Sequence, residues 1–237
     1  MSLPLSLPDL LALIYFSIAW MGYARYAKMR ARIPGTVSLS RSLRQHRETW
    51  VARYLDRDLR MTDASLLANQ ERVVGIFAST TLLLLAAVFT ALANSELVAQ
   101  IAAEISFAET QSKDQVEMKL LVLAMILTVA FFKISWSLRQ YGFVSVLMGS
   151  APTHKQEITQ EQREIIISSL AKLMDSAGHD NNSGLRAYYF AIALLCWQLG
   201  VIPFVVVTTV VVVVLYIREF KSSVVETIDR AHKGYPE

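Results

Sequence analysis

The sequence predicts an all-α integral membrane protein with four transmembrane helices and additional cytoplasmic amphipathic helices. Hydrophobic residues make up 54% of the 237 residues and the mean hydropathy is +0.38. These residues are concentrated in long segments, whereas a soluble domain would disperse them at the period of a helix or strand. The loops between the segments also differ strongly in charge. Together these observations indicate a single membrane domain over residues 1–237.

The chain contains four segments with enough apolar residues, about 20, to cross a hydrocarbon core of roughly 30 Å. We place these crossings at residues 8–27, 73–94, 119–140 and 187–217. Ser6 is predicted to cap the first helix, with Pro8 and Asp9 in its first turn. No Lys or Arg precedes the first apolar run, so this run does not have the pattern of a cleavable signal. The segment Met148–Pro152 is predicted to end the third helix.

The fourth segment is longer than one crossing requires, because a straight helix over Ala187–Ile217 would extend about 46 Å. One interpretation is a single crossing that is tilted and kinked. The other is a break at Gly200–Pro203, which would give a re-entrant hairpin and return the tail to the cytoplasm. We expect the single kinked crossing. The β-branched run Val205–Val214 is expected to be helical, since only helices and closed barrels satisfy the backbone in lipid.

The charges of the loops predict the orientation. Residues 25–72 contain eleven Lys and Arg against five Asp and Glu, whereas residues 95–118 contain one Lys against five acidic residues. The positive-inside rule therefore places segments 28–72 and 150–186 in the cytoplasm and loop 95–118 outside. With four crossings, both termini are predicted to lie outside the cytoplasm.

Two cytoplasmic segments are predicted to be ordered. Leu43–Leu59 is expected to form an amphipathic helix near the membrane. Gln156–Ser176 carries a capping box that begins at Thr159 and an apolar stripe, so a second amphipathic helix is expected there. Gly178 is predicted to end this helix, and His179–Gly184 is predicted to be a loop.

The candidate functional residues are polar groups at membrane depth. Lys133 follows Lys119 by 14 residues, which places it about 21 Å into the hydrocarbon core. Its predicted stripe on the third helix consists of Lys133, Trp136, Ser137, Gln140 and, at the edge, Tyr141. The stripe could line a path for anions or hold a buried ion pair. The favoured alternative is that Lys133 extends to the cytoplasmic headgroups while Arg139 anchors the boundary.

A second set of candidates lies at the cytoplasmic membrane boundary. Arg186, Tyr188 and Tyr189 begin the fourth crossing at the predicted level of Arg139. Such residues are typical of an interfacial anchor. The alternative is that Arg139 and Arg186 bind the phosphate of an anionic lipid headgroup.

Several other classes of site are not expected. The four histidines are scattered without ligand spacing, so no metal site is predicted. No nucleophile has a visible base, so neither catalytic residues nor a cofactor are expected. The basic first loop is explained by the positive-inside rule and by anionic lipid, which makes a nucleic-acid partner unnecessary. Two pairs of small residues, Gly75 with Ser79 and Ala187 with Ala191, allow close helix packing within or between subunits.

Three stretches resemble the bacterial branch of the domain-of-unknown-function 599 family: Arg60–Ala93, Met118–Pro152 and Asn182–Ser222. The densest part of the resemblance is FFKISWSLRQY in the second stretch, and the third begins near GLRAYYFA and ends at LYIREFKS. The resemblance implies a four-crossing membrane protein without an assigned activity and provides no catalytic residue. We therefore expect a protein of the bacterial inner membrane.

Two functions remain as hypotheses. The favoured one is a non-enzymatic, homo-oligomeric structural or regulatory protein whose cytoplasmic helices bind anionic lipid or a protein partner of unknown identity. The alternative is a small ion channel or transporter with a polar path near Lys133. The sequence predicts neither the transported species nor the oligomeric state.

Overall fold

The computed structural model describes residues 5–30, 33, 38–106 and 108–234, and these residues form eight α-helices. In chain order, the helices are α1 (Leu7–Arg30), α2 (Leu39–Asp56), α3 (Met61–Ala93), α4 (Ser95–Ala103), α5 (Lys113–Ser150), α6 (Gln160–Trp197), α7 (Val201–Phe220) and α8 (Ser223–Lys233). Within the described part of the chain, four helical stretches are long and apolar enough to cross a membrane: Leu7–Arg30, Met61–Ala93, Lys113–Ser150 and Val201–His232. The predicted all-helical class with four such stretches is confirmed.

The chain divides into two compact units. The first contains residues 1–30, 79–131 and 184–217, and the second contains residues 31–78, 132–183 and 218–237. Helices α3, α5, α6 and α7 therefore contribute residues to both units.

Helix α1 begins as its capping residues predict. The Asp9 backbone N–H donates to Ser6 Oγ at 3.3 Å, and Asp9 Oδ2 accepts from the Ser6 N–H at 3.3 Å and from the Ser6 hydroxyl at 2.6 Å. This reciprocal arrangement satisfies donors that the first turn of a helix leaves unpaired.

Aromatic packing in the first unit establishes the helix directions. The Phe16 ring lies 5.6 Å from Phe190 of α6 and 5.3 Å from Phe204 of α7. Farther along α1, Tyr26 lies 6.3 Å from Tyr216, so α7 runs parallel to α1. Trp197, at the end of α6, forms a hydrogen bond with Asp9 in the first turn of α1. Helix α6 therefore runs antiparallel to α1 and to α7.

The expected single kinked crossing over 187–217 is wrong, because the chain reverses between α6 and α7. Gly200 has φ +133, a backbone conformation that glycine adopts without strain. Glu109 completes the turn. Its N–H donates to the Leu199 carbonyl at 3.0 Å, and its Oε1 accepts from the Val201 N–H at 3.2 Å, at the start of α7. A carboxylate at this position is favourable because the first turn of a helix has unpaired N–H groups and a positive dipole end.

Helix α7 has one face inside the first unit and one face on its surface. Its buried residues are Phe204, Thr208, Val211 and Leu215. Its exposed residues include Ile202, Val206, Val210, Val213 and Ile217. The valine-rich run is thus helical, as expected, and its exposed face is apolar. A surface of this kind is what a lipid environment requires.

Helix α2 confirms the predicted amphipathic helix, but its apolar face packs against protein. Val51, Tyr54 and Leu55 are all buried. Helix α2 also packs on α8, where His46 Nε2 lies 2.9 Å from the Ile228 carbonyl. The C-terminal tail therefore belongs to the same unit as α2.

Helix α6 begins at the predicted capping box but does not end at Gly178. The Thr159 N–H donates to Gln162 Oε1 at 2.9 Å, and the Gln162 N–H donates to Thr159 Oγ1 at 3.2 Å. The expected loop His179–Gly184 is wrong, because α6 continues unbroken to Trp197. Tertiary contacts override the low helix propensity of Gly and Asn in this stretch. One such contact is the Ala177 carbonyl, which accepts from Ser137 Oγ at 2.7 Å.

Helix α5 ends at Ser150, as predicted. The side chain of Arg60 donates to the carbonyls of Ala151 and Pro152 at 3.1 and 2.5 Å. Basic side chains often satisfy the last carbonyls of a helix in this way.

Candidate functional site

The predicted stripe on α5 faces a carboxylate of α6 in the second unit. Lys133 Nζ donates to Asp180 Oδ1 at 2.9 Å, and Gln140 Nε2 donates to Asp180 Oδ2 at 2.8 Å. Ser137 is buried beside them. The structure therefore brings three residues of the stripe together around Asp180. We call this set of four residues the Asp180 cluster: Lys133, Ser137, Gln140 and Asp180.

The remaining two stripe residues do not bond to Asp180. Trp136 is 50% exposed and packs edge-on against Phe143 at 6.4 Å. Tyr141 is buried. Trp136 thus lies on the outer surface of α5, whereas Tyr141 is part of the packed interior of the second unit.

Asp180 is not among the predicted site residues, because it lies in the stretch that is predicted to be a loop. Predicting the position of Asp180 requires knowing that α6 continues through residues 178–184. Once α5 and α6 are antiparallel and Ser137 bonds to the Ala177 carbonyl, Asp180 lies near the level of Lys133. The only available signal was an unmatched cation, Lys133, at a depth where a partner is expected.

One atom of the cluster accepts no hydrogen bond within the described part of the chain. Gln140 is 5% exposed, and its Oε1 is buried without a partner among those residues. A buried carbonyl oxygen of this kind has the capacity to accept a bond from a water or from the donor group of a solute.

A second ionic cluster ties α2 to α6 near the Asp180 cluster. Arg44 Nη2 and Arg47 Nη1 approach the two carboxylate oxygens of Asp175 at 2.6 and 3.0 Å. Gly178 provides the space, because a Cβ there would lie 3.0 Å from Arg47 Cζ and closer still to Nη2. The charges of the first loop are thus used partly to hold helices together, in addition to their expected role near anionic lipid.

Arg163 forms a related contact at the start of α6. Its Nη2 donates to Asp56 Oδ2 at 2.7 Å and to the Ala52 carbonyl at 3.1 Å. The hydrogen bond to Asp56 raises the pKa of the Arg163 guanidinium above its ordinary value.

The first unit contains a buried ion pair that the sequence did not predict. Lys119 Nζ lies 3.3 Å from Asp9 Oδ1, and both side chains are at least 95% buried, with exposures of 1% and 5%. Lys119 also donates to Gln111 Oε1 at 2.9 Å and to the Trp197 carbonyl at 3.1 Å. Trp197 Nε1 donates to Asp9 Oδ1 at 2.8 Å. We call these four residues the Asp9–Lys119 cluster.

The Asp9–Lys119 cluster connects the start of α1, the start of α5 and the end of α6. From the sequence, Asp9 is predicted only as a residue of the first helical turn and Lys119 only as the start of a crossing. Their contact could not be predicted from the sequence, since the two residues are far apart in the chain. Buried charges need both a counter-charge and hydrogen bonds, and this cluster supplies both.

The predicted boundary residues divide between the two units. Arg139 is exposed, with its guanidinium 5.7 Å from the centre of the Phe143 ring, and belongs to the second unit. Arg186, Tyr188 and Tyr189 belong to the first unit, where Tyr188 forms a hydrogen bond with Thr81. A joint contact of Arg139 and Arg186 with a phosphate stays a prediction.

The described residues contain no group of three or more His, Cys, Asp or Glu side chains arranged to hold a metal ion. Two of the four histidines do come together, since the rings of His46 and His232 lie 5.4 Å apart where α2 packs on α8.

Comparison with curated proteins and with solved structures finds no match. A family model described as "Protein of unknown function, DUF599" matches residues 11–224. This match covers α1 from Leu11 onward, all of α2 to α7 and the start of α8, and it includes both polar clusters except Asp9. The chain therefore belongs to the DUF599 family.

Proposed function

We propose that this chain is a non-enzymatic, homo-oligomeric structural or regulatory protein of the bacterial inner membrane. In this proposal, α2 and the first half of α6 bind a protein partner or anionic lipid in the cytoplasm. The observation that carries the proposal is the pairing of charges at membrane depth. Lys133 is matched by Asp180, and Lys119 is matched by Asp9. Matched charges favour a role in holding the helices together over a role in binding a passing ion.

The proposed membrane topology differs from the predicted one by one additional crossing. Helix α7 runs parallel to α1, and the tail packs with α2 in the second unit. We therefore place the second half of α6 as a fourth crossing and α7 as a fifth. The N-terminus then stays outside, as predicted, whereas the C-terminal tail lies in the cytoplasm with residues 28–72.

The homo-oligomer is supported by one of the two predicted small-residue pairs. Ala187 and Ala191 are buried within their own subunit, so they serve internal packing. Ser79, by contrast, is exposed on α3, one turn after Gly75. A Ser79→Leu substitution tests whether this face joins subunits: the purified protein should change from oligomer to monomer in light scattering. An unchanged mass would place the interface elsewhere.

A small channel or transporter is the second candidate. The unpartnered Oε1 of Gln140 and the 48% exposure of the Lys133 side chain favour a hydrated path beside α5. This path would contain Lys133, Ser137 and Gln140.

Ion flux through purified protein in liposomes separates the two candidates. The structural or regulatory proposal predicts no flux above that of empty liposomes, for both the wild type and Lys133→Met. Flux that changes in rate or selectivity in Lys133→Met would overturn it in favour of a channel or transporter. Arg139→Met is the matched control, because it removes an exposed cation of the same helix outside the Asp180 cluster.

A further inference from the structure

A groove of about 600 Å³ opens on the second unit at the start of α6. Its lining residues are Pro152, Gln156, Glu157, Ile158, Gln162, Ile165 and Ile166. Ile165 is 57% exposed although it is a large aliphatic residue. The groove thus offers apolar side chains to a water-facing surface, which is a common feature of binding sites.

The position of the groove along α6 separates it from the bilayer. Ser137 lies near the cytoplasmic end of the third crossing, predicted at 119–140, and bonds to the Ala177 carbonyl. From Ala177 to Ile165 the helix is continuous over 12 residues, which corresponds to about 18 Å. The headgroup layer adds only about 5–8 Å to each side of the hydrocarbon core. With the third crossing at its predicted bounds and α6 perpendicular to the bilayer, Ile165 lies outside the headgroup layer.

The charge around the groove is acidic, unlike that of the first loop. Glu157 lines the groove, and Glu161 and Glu164 are exposed on the adjacent turns of α6. The charge of Arg163 is matched by Asp56. The other cations at the groove are Lys155 and Arg60, whose guanidinium donates to the Pro152 carbonyl, so three carboxylates stand against two cations. This excess of carboxylates disfavours anionic headgroups and favours a cationic ligand.

We propose that this groove binds a short peptide segment of a water-soluble protein, in which an aliphatic side chain is flanked by Lys or Arg. The aliphatic side chain packs against Ile158, Ile165 and Ile166, and the basic residues face Glu157 and Glu161. An aliphatic anchor with charged neighbours is a usual arrangement in peptide recognition. This inference rests on the proposed function, since it specifies the chemistry of the cytoplasmic partner.

The test is a selection from a library of random 12-residue peptides, displayed on phage, against the full-length protein in nanodiscs made of neutral lipid. The same selection is made against Ile165→Glu, a substitution at an exposed position that leaves the core intact. Peptides enriched on the wild type alone should carry an aliphatic residue next to Lys or Arg. Synthetic versions should bind at least tenfold more weakly to Ile165→Glu and to Glu157→Lys. Val224→Glu, an exposed aliphatic position on α8, is the matched control and should bind like the wild type.

Several results would overturn the inference. One is equal enrichment on the wild type and on Ile165→Glu, and another is a set of peptides that is acidic or purely apolar. A third is an oligomer that dissociates in Ile165→Glu, since the occupant would then be a second copy of the chain. Failure of the peptide selection leaves the liposome result unchanged, so the two proposals fail independently. Only ion flux counts against the proposed function itself.

Discussion

Lys133 and Asp180 form an ion pair at 2.9 Å between α5 and α6, and Gln140 bonds to the other oxygen of the same carboxylate. The pair joins a cation predicted at membrane depth to an anion from a stretch predicted to be a loop. It gives α6 a specific partner at the point where its sequence is least favourable for a helix.

The pair predicts non-additive effects of mutation. Asp180→Asn should destabilise the protein by about 1–2 kcal/mol, because it removes the charge of a carboxylate that is only 14% exposed and leaves Lys133 without a counter-charge. The double variant Asp180→Asn with Lys133→Met should be less destabilised than the sum of the single variants, with a coupling of about 0.5–2 kcal/mol. Thermal unfolding in detergent measures all three. Strict additivity of the single variants would contradict the ion pair. The control is Lys113→Met, which removes a cation from an exposed pair with Glu96 and should cost less than about 0.5 kcal/mol.

The buried Asp9–Lys119 pair should be more sensitive than the Lys133 pair. Lys119→Met leaves a buried carboxylate without its counter-charge, for which we expect a loss of about 3–5 kcal/mol in the free energy of unfolding. Adding Asp9→Asn should restore part of the loss, because the amide still accepts from Trp197 and needs no counter-charge. Denaturant unfolding of the full chain in micelles provides the measurement. A Lys119→Met variant as stable as Lys113→Met would show that the pair contributes nothing to stability.

The turn between α6 and α7 depends on one glycine. Gly200→Ala should cost about 1–3 kcal/mol, since φ +133 is strained for any residue with a Cβ. Gly142→Ala is the matched control: a Cβ there meets no atom within 4 Å, so Ala should be neutral or stabilising by up to about 1 kcal/mol. Melting temperatures of the two variants in the same detergent are compared. Equal stability would be inconsistent with the hairpin.

The revised topology predicts the side on which each loop is labelled. In a Cys196→Ser background, Leu97→Cys should react with a membrane-impermeant thiol reagent on intact cells, because α4 belongs to the loop that is predicted to lie outside. Val224→Cys on α8 should react only after the membrane is permeabilised. Both positions are exposed, with values of 55% and 57%, so access to the thiol is comparable. Labelling of Val224→Cys on intact cells would restore the predicted outer location of the tail.

The elements of the fold follow largely from local sequence. The capping boxes at Ser6 and Thr159, the end of α5 near Ser150 and the helical valine run were all predictable. Each depends on residues within a few positions of one another or on the length of an apolar segment. The four long apolar stretches are similarly a property of composition along the chain.

Because sequence patterns report only local structure, only part of each candidate site could be predicted. Lys133, Ser137 and Gln140 share a helix face, so their proximity follows from the period of one helix. Asp180 and the Lys119–Asp9 pair depend on contacts between helices distant in sequence, and no local pattern encodes them.

By itself, the sequence determined the long apolar helices, the charge asymmetry of the loops and the helix ends at Ser6, Ser150 and Thr159, because hydropathy, charge and capping act over short distances. Tertiary structure decided whether 178–184 continues a helix and whether 198–200 reverses the chain. In the first case, contacts from Lys133, Gln140 and Arg47 outweigh weak helix propensity. In the second, Glu109 caps α7 and the Phe16 ring packs against both α6 and α7, so a hairpin buries aromatic surface that a single long helix would leave exposed.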